Sequence, residues 1–266
     1  MKIVVCVKYV PDAQLERTFS QADATTDRVG VDGLLCELDE YAVEEALAVV
    51  EAVGGEVVVL TVGPEQAATA IKKSLQMGAT SGVHVCDPAI QGSDSVATSL
   101  VLAEAVNRIG DVDLVLTGMA STDGAMSVVP AMLAERLGLP QATFASELAV
   151  SPGAGGGAGS VRIRRDGDLA SETIEAALPA VVSVTDQINE PRYPSFKGIM
   201  SAKKKPVLTW SLAELGIDPG QVGLAAAWTR VESVVARPPR QQGQVVPDAG
   251  DGGSRLARFL LEARLV

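Results

Sequence analysis

The chain has 266 residues, 47% of them hydrophobic and only 3% aromatic, with 26 glycines and a formal net charge of −11. A chain of that length buries a substantial core, and its wealth of Val, Ala, Leu and Gly suits closely packed parallel strands, so wholesale disorder is excluded. With 22 basic residues against 33 acidic ones, no general attraction for a phosphate backbone exists, which sets nucleic acid aside as a partner.

The opening MKIVVCVKYV places five apolar residues between Lys2 and Lys8, too few for a signal core. No run reaches bilayer length, so the expectation is a cytoplasmic protein without membrane insertion. Ile3 to Val7 is β-rich and too short for a helix, and the same holds for Val57–Val62, Val83–Cys86 and Leu114–Thr117. Each run is followed by a helical pattern, which predicts a βαβα series on a parallel sheet with right-handed crossovers.

Between the first two runs, Val10 to Leu35 is far longer than an ordinary connection, so it is expected to cover or contact something, or to form a hairpin. Asp39 to Val53 then sets Ala42, Val43, Ala46, Leu47, Val50 and Val53 on one helical face, with Glu40, Glu44, Glu45 and Glu51 towards the other. Pro64 opens a second helix through Leu75 that stops at Gly78, and Ser93 or Asp94 caps a third that reaches Ile109 before Gly110.

After residue 140 the pattern changes. Glu147–Val150, a turn over Pro152–Ser160 and the alternating Val161-Arg162-Ile163-Arg164 read as a hairpin, and Pro179–Val184 as a further strand. Residues 238–254, PPRQQGQVVPDAGDGGS, are a linker that cannot bury a core, and Arg255–Leu265 reads as a short amphipathic helix. The expected organisation is a nucleotide-binding α/β domain over 1–190, a partner-recognition loop over 191–206 and a C-terminal arm over 207–266.

The residue types restrict the chemistry. Cys6, Cys36 and Cys86 are odd in number and lack CxxC spacing, against both a disulfide framework and a zinc site, and are expected to be small buried apolar groups. His84, the lone histidine, lies within a strand pattern, and no acid or nucleophile flanks it in a triad-like pattern, so it reads as structural. Neither a Walker A loop nor a GxGxxG follows the first strand. The stretch Gly118 to Pro130 leaves a buried strand through small polar residues and enters a helix whose first turn holds Pro130. The free amides near Met126–Val129 would suit a phosphate, with Gly124 allowing close approach, although an ordinary capped turn would read the same way. A second stretch, Asn189 to Pro206, sets Tyr193, Phe196 and Met200 among Arg192, Lys197 and three successive lysines. That is either an interface with a charged rim or a solvated lysine run.

Taken together, Val5-Cys6-Val7-Lys8-Tyr9-Val10-Pro11-Asp12, the helix start Asp39 to Ala46, the turn Val62-Gly63-Pro64, the Gly118–Pro130 stretch and above all Asn189 to Lys205 resemble the β subunit of electron-transfer flavoproteins over nearly the whole chain. The resemblance implies a Rossmann-like α/β fold related to the adenine-nucleotide hydrolases, in a heterodimer whose α subunit holds most of the FAD. It implies AMP in a structural role here, touching Cys6, Cys36, Glu37, Leu38, Asp39 and Val62, together with Gly118, Ser121, Thr122, Asp123, Gly124, Ala125, Met126, Ser127, Val128 and Val129. It implies docking of dehydrogenases through Arg192, Tyr193, Phe196, Lys197, Ile199 and Met200, with Phe196 as the anchor where many relatives have Leu. Electrons would enter from acyl-CoA and related dehydrogenases, as in fatty acid oxidation, and leave to a quinone-linked oxidoreductase, with no residue acting as acid, base or nucleophile.

The sequence departs from the family pattern at Cys36-Glu37, where many relatives have Asn-Pro, and at Ser121 to Gly124, where an acidic turn is commoner. A third departure is Ala13, where some relatives place a Tyr beside the flavin. The alternatives are a bifurcating form with a second FAD in the AMP site and, from another class, an ATP-binding stress-type protein.

Overall fold

The computed structural model of the protein describes residues 1–20, 22–28, 30–153, 159–235, 237–239, 243 and 245–266. Its elements in chain order are β1 (Lys2–Cys6), β2 (Tyr9–Pro11), β3 (Gly33–Leu35), α1 (Glu37–Val53), β4 (Glu56–Val62), α2 (Ala68–Met77), β5 (Ser81–Val85), α3 (Ser95–Ile109), β6 (Leu114–Gly118), α4 (Val129–Leu137), β7 (Gln141–Ser151), β8 (Ser160–Asp166), β9 (Ser171–Ala177), β10 (Ala180–Val184), α5 (Phe196–Ala202), β11 (Val207–Trp210), α6 (Leu212–Leu215), α7 (Gly223–Ala226) and α8 (Gly252–Glu262).

The β-branched runs form the middle of a nine-stranded sheet ordered β11-β5-β4-β1-β6-β10-β7-β8-β9. Pairing is parallel from β11 to β7 and antiparallel across β8 and β9. Because strand side chains alternate between faces, Ile3 and Val5 pack with α1 and α2, while Val4 and Leu60 pack with α3 and α4 on the other side. An apolar core results on each face of the sheet, and each fully buried Val or Leu contributes about 1.5–3 kcal/mol of hydrophobic stabilisation. The expected parallel α/β architecture is therefore present, with helices on both faces.

In α1, Ala42, Val43, Ala46 and Leu47 are buried as the periodicity requires. Glu45, assigned by that periodicity to solvent, is buried instead, because Asn189 lies over it and donates an Nδ2–H to its carboxylate at 3.1 Å. Val53, placed in the apolar stripe, is exposed in the last turn. The second helix opens more gradually than Pro64 suggested: a single 3-10 turn over Glu65–Ala67 leads into α2, which closes at Gly78. Asp94, not Ser93, caps α3 by accepting from the Ala97 amide at 3.0 Å, while the Ser93 hydroxyl donates to the Ile90 carbonyl.

The long 11–35 excursion begins and ends as an antiparallel ribbon, with Tyr9 opposite Leu35. Its residues 21 and 29 lie outside the described residues. The hairpin of β7 and β8 pairs Leu148 with Ile163, although 154–158 of its turn also lie outside them. β7 starts earlier than the sequence pattern indicated, since Gln141 to Ala145 pairs with β10 before the strand bends towards β8. β9 extends the hairpin to a third strand that sequence reading did not assign.

The chain from 207 does not begin a separate arm. β11 pairs with β5, and Trp210, Leu212, Ile217 and Val222 are buried in the core beside α3. The body runs over Met1–Glu232, and Ser233–Val266 forms a second unit. Within that unit α8 spans Gly252–Glu262 rather than Arg255–Leu265, because the Asp248 carboxylate accepts from the Gly250 and Gly252 amides and starts the helix early. Linker residues 240–242 and 244 lie outside the described residues. Of the cysteines only Cys36 is fully buried, while Cys6 and Cys86 at strand ends are partly accessible. Among the described residues no helix is long and apolar enough to cross a membrane.

Candidate nucleotide site and docking segment

From β1 the chain proceeds to β4 and β5 on one side, whereas β6 and β10 lie on the other. In open parallel sheets the crevice outside the strands' carboxyl ends, where the order reverses, is where ligands bind. Here that point lies between β1 and β6, at Cys6 and Gly118, since Cys6 pairs with Thr117. The independent phosphate candidate and the residues implied by resemblance therefore meet at one place.

Gly118 ends β6 against the first turn of α1. A Cβ there would lie 2.7 Å from Asp39 Oδ1 and 2.8 Å from the Leu38 carbonyl oxygen, so only glycine lets strand and helix approach this closely. Asp39 is buried and accepts from the Lys8 amide at 2.8 Å. Burial is the dominant influence on its carboxyl and pushes it up to about 7, against the amides of Lys8 and Gly118, which favour the ionised form. Cys36, at the N-cap of α1, and Cys6 both lie near Asp39. Burial, reinforced by that carboxylate, raises the Cys36 thiol to about 11 and the Cys6 thiol to about 12, so both stay protonated. Glu37 is exposed and Leu38 half-buried in the same turn, and Val62 is half-buried at the end of β4.

The turn from Ser121 to Val129 is held by residues remote in sequence. The Asp123 side chain is wholly inaccessible, and it receives Lys8 Nζ at 2.8 Å on one oxygen and Arg28 NH2 at 2.5 Å on the other. Burial opposes ionisation of Asp123, but Lys8 and then Arg28 outweigh it and hold the carboxyl well below the usual range. Arg17 donates to the carbonyls of Thr122 and Asp123. Within the turn, Gly124 donates its amide to Asp123 Oδ1 at 2.7 Å and Ala125 donates to the Ser121 carbonyl at 2.8 Å. Ala125 and Ser127 take left-handed φ values of 52° and 57°, and Val128 returns to the right-handed region before α4. Alternation of hand turns successive amides into one concavity, and here it meets the positive end of α4, whose first turn holds Pro130. Three cations thus stand over a turn with one carboxylate, in a chain of net charge −11. Met126 is exposed at its edge.

Sequence reading missed the roles of Arg17 and Arg28. They lie in the irregular excursion about a hundred residues from their partners, and no periodicity signals such a pairing. Lys8 carried a signal, since it stands two residues past β1 at the sheet's carboxyl edge.

His84 is buried, and its Nε2 lies 3.0 Å from the Gly63 carbonyl, as befits a structural histidine. The segment expected to dock partners lies after β10. Tyr193 is 92% exposed, Phe196 81%, Met200 49% and Ile199 38%, an unusual density of accessible apolar groups. Ser195 caps α5 by accepting from the Gly198 amide at 3.0 Å. Lys197, Lys203 and Lys204 are exposed around it, whereas Lys205 donates to the Leu75 carbonyl. Arg192, expected to present its charge to a partner, is turned instead onto Glu44 and Glu51 of α1.

Comparison with known proteins matches residues 23–215 to the electron transfer flavoprotein domain. The chain is 44% identical over 99% of both chains to the electron transfer flavoprotein subunit beta of Mycobacterium leprae (strain TN). It is 43% identical, over the same share, to that of Mycobacterium tuberculosis (strain ATCC 25618 / H37Rv). A more distant relative is the caffeyl-CoA reductase-Etf complex subunit CarD of Acetobacterium woodii, 33% identical over 92% of each chain. With a domain match covering most of the body and full-length similarity to named beta subunits, the chain belongs to the electron transfer flavoprotein family as a beta subunit.

Proposed function

We propose that the chain pairs with an α subunit in the cytoplasm and binds AMP structurally. The heterodimer carries electrons from acyl-CoA and related dehydrogenases to a quinone-linked oxidoreductase. The observation that carries the nucleotide reading is the cationic turn at the strand-order reversal, which fits a dianionic phosphate. The phosphate would be held by the amides from Ser127 to Val129, with Gly124 leaving room for it, and by Lys8, Arg17 and Arg28 through their combined field. Cys6, Cys36 to Asp39 and Val62 line the ends of the neighbouring elements and would receive the nucleoside. The FAD, held mainly by the α subunit, supplies the redox chemistry when bound. The residues of this chain position the cofactors and select partners. Protonated thiols and a locked Asp123 suit that role, because none of them is placed to take or give a proton at neutral pH.

The test is to co-express the chain with its α partner, denature the purified complex and identify the released molecules. One FAD and one AMP per heterodimer is the expected result. Two FAD without AMP would instead identify the bifurcating form, and ATP on a chain that never pairs would remove the carrier reading.

The exposed segment around Phe196 is proposed as the dehydrogenase dock, with Tyr193, Ile199, Met200 and Lys197 around the anchor. Phe196→Ala is expected to slow flavin reduction by an acyl-CoA-reduced dehydrogenase on the order of tenfold or more, as loss of a central anchor does. Flavin content should be unaltered. An unchanged rate with every dehydrogenase tried would remove the docking assignment.

A further inference from the structure

The docking segment is fixed at both ends while its apolar side chains stay accessible. On the far side, a Cβ at Gly198 would lie 2.4 Å from the Gln76 carbonyl oxygen, and Lys205 Nζ donates to the Leu75 carbonyl at 2.9 Å, so α2 holds α5 closely. On the near side the attachment is made of charge. Arg192 donates through Nε to Glu44 Oε2 at 2.8 Å and through NH2 to Glu44 Oε1 at 2.9 Å. Its NH1 donates to Glu51 Oε1 at 2.6 Å, and its backbone amide reaches Glu44 Oε2 at 3.1 Å. Three residues earlier, Asn189 Nδ2 donates to the Tyr41 carbonyl and to Glu45, both at 3.1 Å. Tyr193, the residue after Arg192, is almost wholly exposed.

A guanidinium spanning two carboxylates fixes direction as well as position, which a lysine could not do. Ordering a loop before encounter removes an entropic cost from binding, so such a clamp acts on association with a partner. We propose that Glu44 and Glu51 are positioning residues that, by clamping Arg192, hold the Tyr193–Met200 segment in the conformation a dehydrogenase recognises. This inference rests on the docking reading above. It assigns Arg192 to holding the segment rather than to touching the partner.

The experiment uses the purified heterodimer and an acyl-CoA dehydrogenase reduced by its substrate, comparing the native complex with Glu44→Gln/Glu51→Gln, the milder Glu51→Gln and Phe196→Ala. The double variant is expected to raise KM for the heterodimer on the order of five- to tenfold with kcat within about twofold, because preorganisation is lost while the anchor remains. Flavin content and direct reduction by dithionite should match the native complex, and Glu51→Gln should show a smaller rise of the same kind. Restoring the pair in reversed sense, Glu44→Arg with Arg192→Glu in the Glu51→Gln background, should recover part of the KM. An unchanged KM in the double variant beside an impaired Phe196→Ala overturns the clamp and leaves the docking reading standing. If Phe196→Ala is silent as well, the docking reading fails and the clamp with it. Loss of flavin, pairing and kcat together would show that the glutamates serve folding alone, which also overturns the proposal.

Discussion

Replacing Asp123 with Asn is expected to destabilise the folded chain by about 2–4 kcal/mol at neutral pH and to abolish tight nucleotide retention. Removing one partner from a buried pair costs about 3–5 kcal/mol when the remaining charge is left dry. The cost is smaller here because Lys8 and Arg28 keep 42% and 33% of their side chains accessible, so water can take over part of their solvation. The Asn amide keeps the shape but cannot accept from two cations at once. With the carboxylate gone, Lys8 and Arg28 lose their common anchor, while Arg17 still links the 11–35 excursion to the Thr122 and Asp123 carbonyls.

The pH dependence follows from the direction of each shift. Asp123 is more acidic in the folded chain than its ordinary value of 3.8. Its contribution is therefore present above that value and is lost as pH falls below it. Asp39 has the opposite sign. Its folded value of about 7 lies above the ordinary 3.8, so its contribution is complete below the ordinary value and declines as pH rises towards and through 7. Through Asp39, urea midpoints are expected to fall as pH rises from about 4 to about 7, and through Asp123 to fall below about pH 4. In the Asp123→Asn variant the acid limb should flatten. An acid limb as steep as in the native chain would show that Lys8 and Arg28 do not hold Asp123 in solution.

The second large effect is expected at Gly118→Ala. The added methyl would meet the Leu38 carbonyl carbon at 2.9 Å as well as its oxygen and Asp39. These are backbone atoms and a buried carboxylate, which cannot swing aside, so α1 must shift against a core that contains Ala42, Val43, Ala46 and Leu47. The expected cost is about 3 kcal/mol or more, at the upper end for overpacking. Gly124→Ala is the contrasting control. Its methyl would lie 3.2 Å from Ser121 Oγ and 3.9 Å from Lys8 Nζ, both side-chain atoms. The fold should survive that change within about 1 kcal/mol, while AMP content in the co-expressed complex falls if a phosphate approaches the Gly124 backbone. Equal thermal stability of the Gly118→Ala and native complexes would contradict the close approach of β6 to α1.

The local sequence determined a good deal about this protein. Short β-branched runs at Ile3, Val57, Val83 and Leu114 specified buried strands, because only a strand places such short apolar runs on two faces at once. Gly78 and Gly110 marked helix ends, and Pro130 marked a helix start, since these residues act through their own backbone. The exposed Phe196 segment and the Gly118–Pro130 stretch stood out as local composition.

Only the tertiary structure decided which charged groups face inward. Glu45 and Glu44 belong to the same polar stripe by periodicity, yet one is covered by Asn189 and the other meets Arg192. The pairing of Asp123 with Lys8 and Arg28 depends on where β1, β6 and the excursion converge. A strand's neighbours follow from chain topology, whereas its own residues specify only that it is a strand. The same reason separates Val207–Val222 from the arm to which its position in sequence assigned it: pairing of β11 with β5 draws that stretch into the body. Ion pairs between residues a hundred positions apart are set by the geometry of closure, and no local pattern in the chain encodes them.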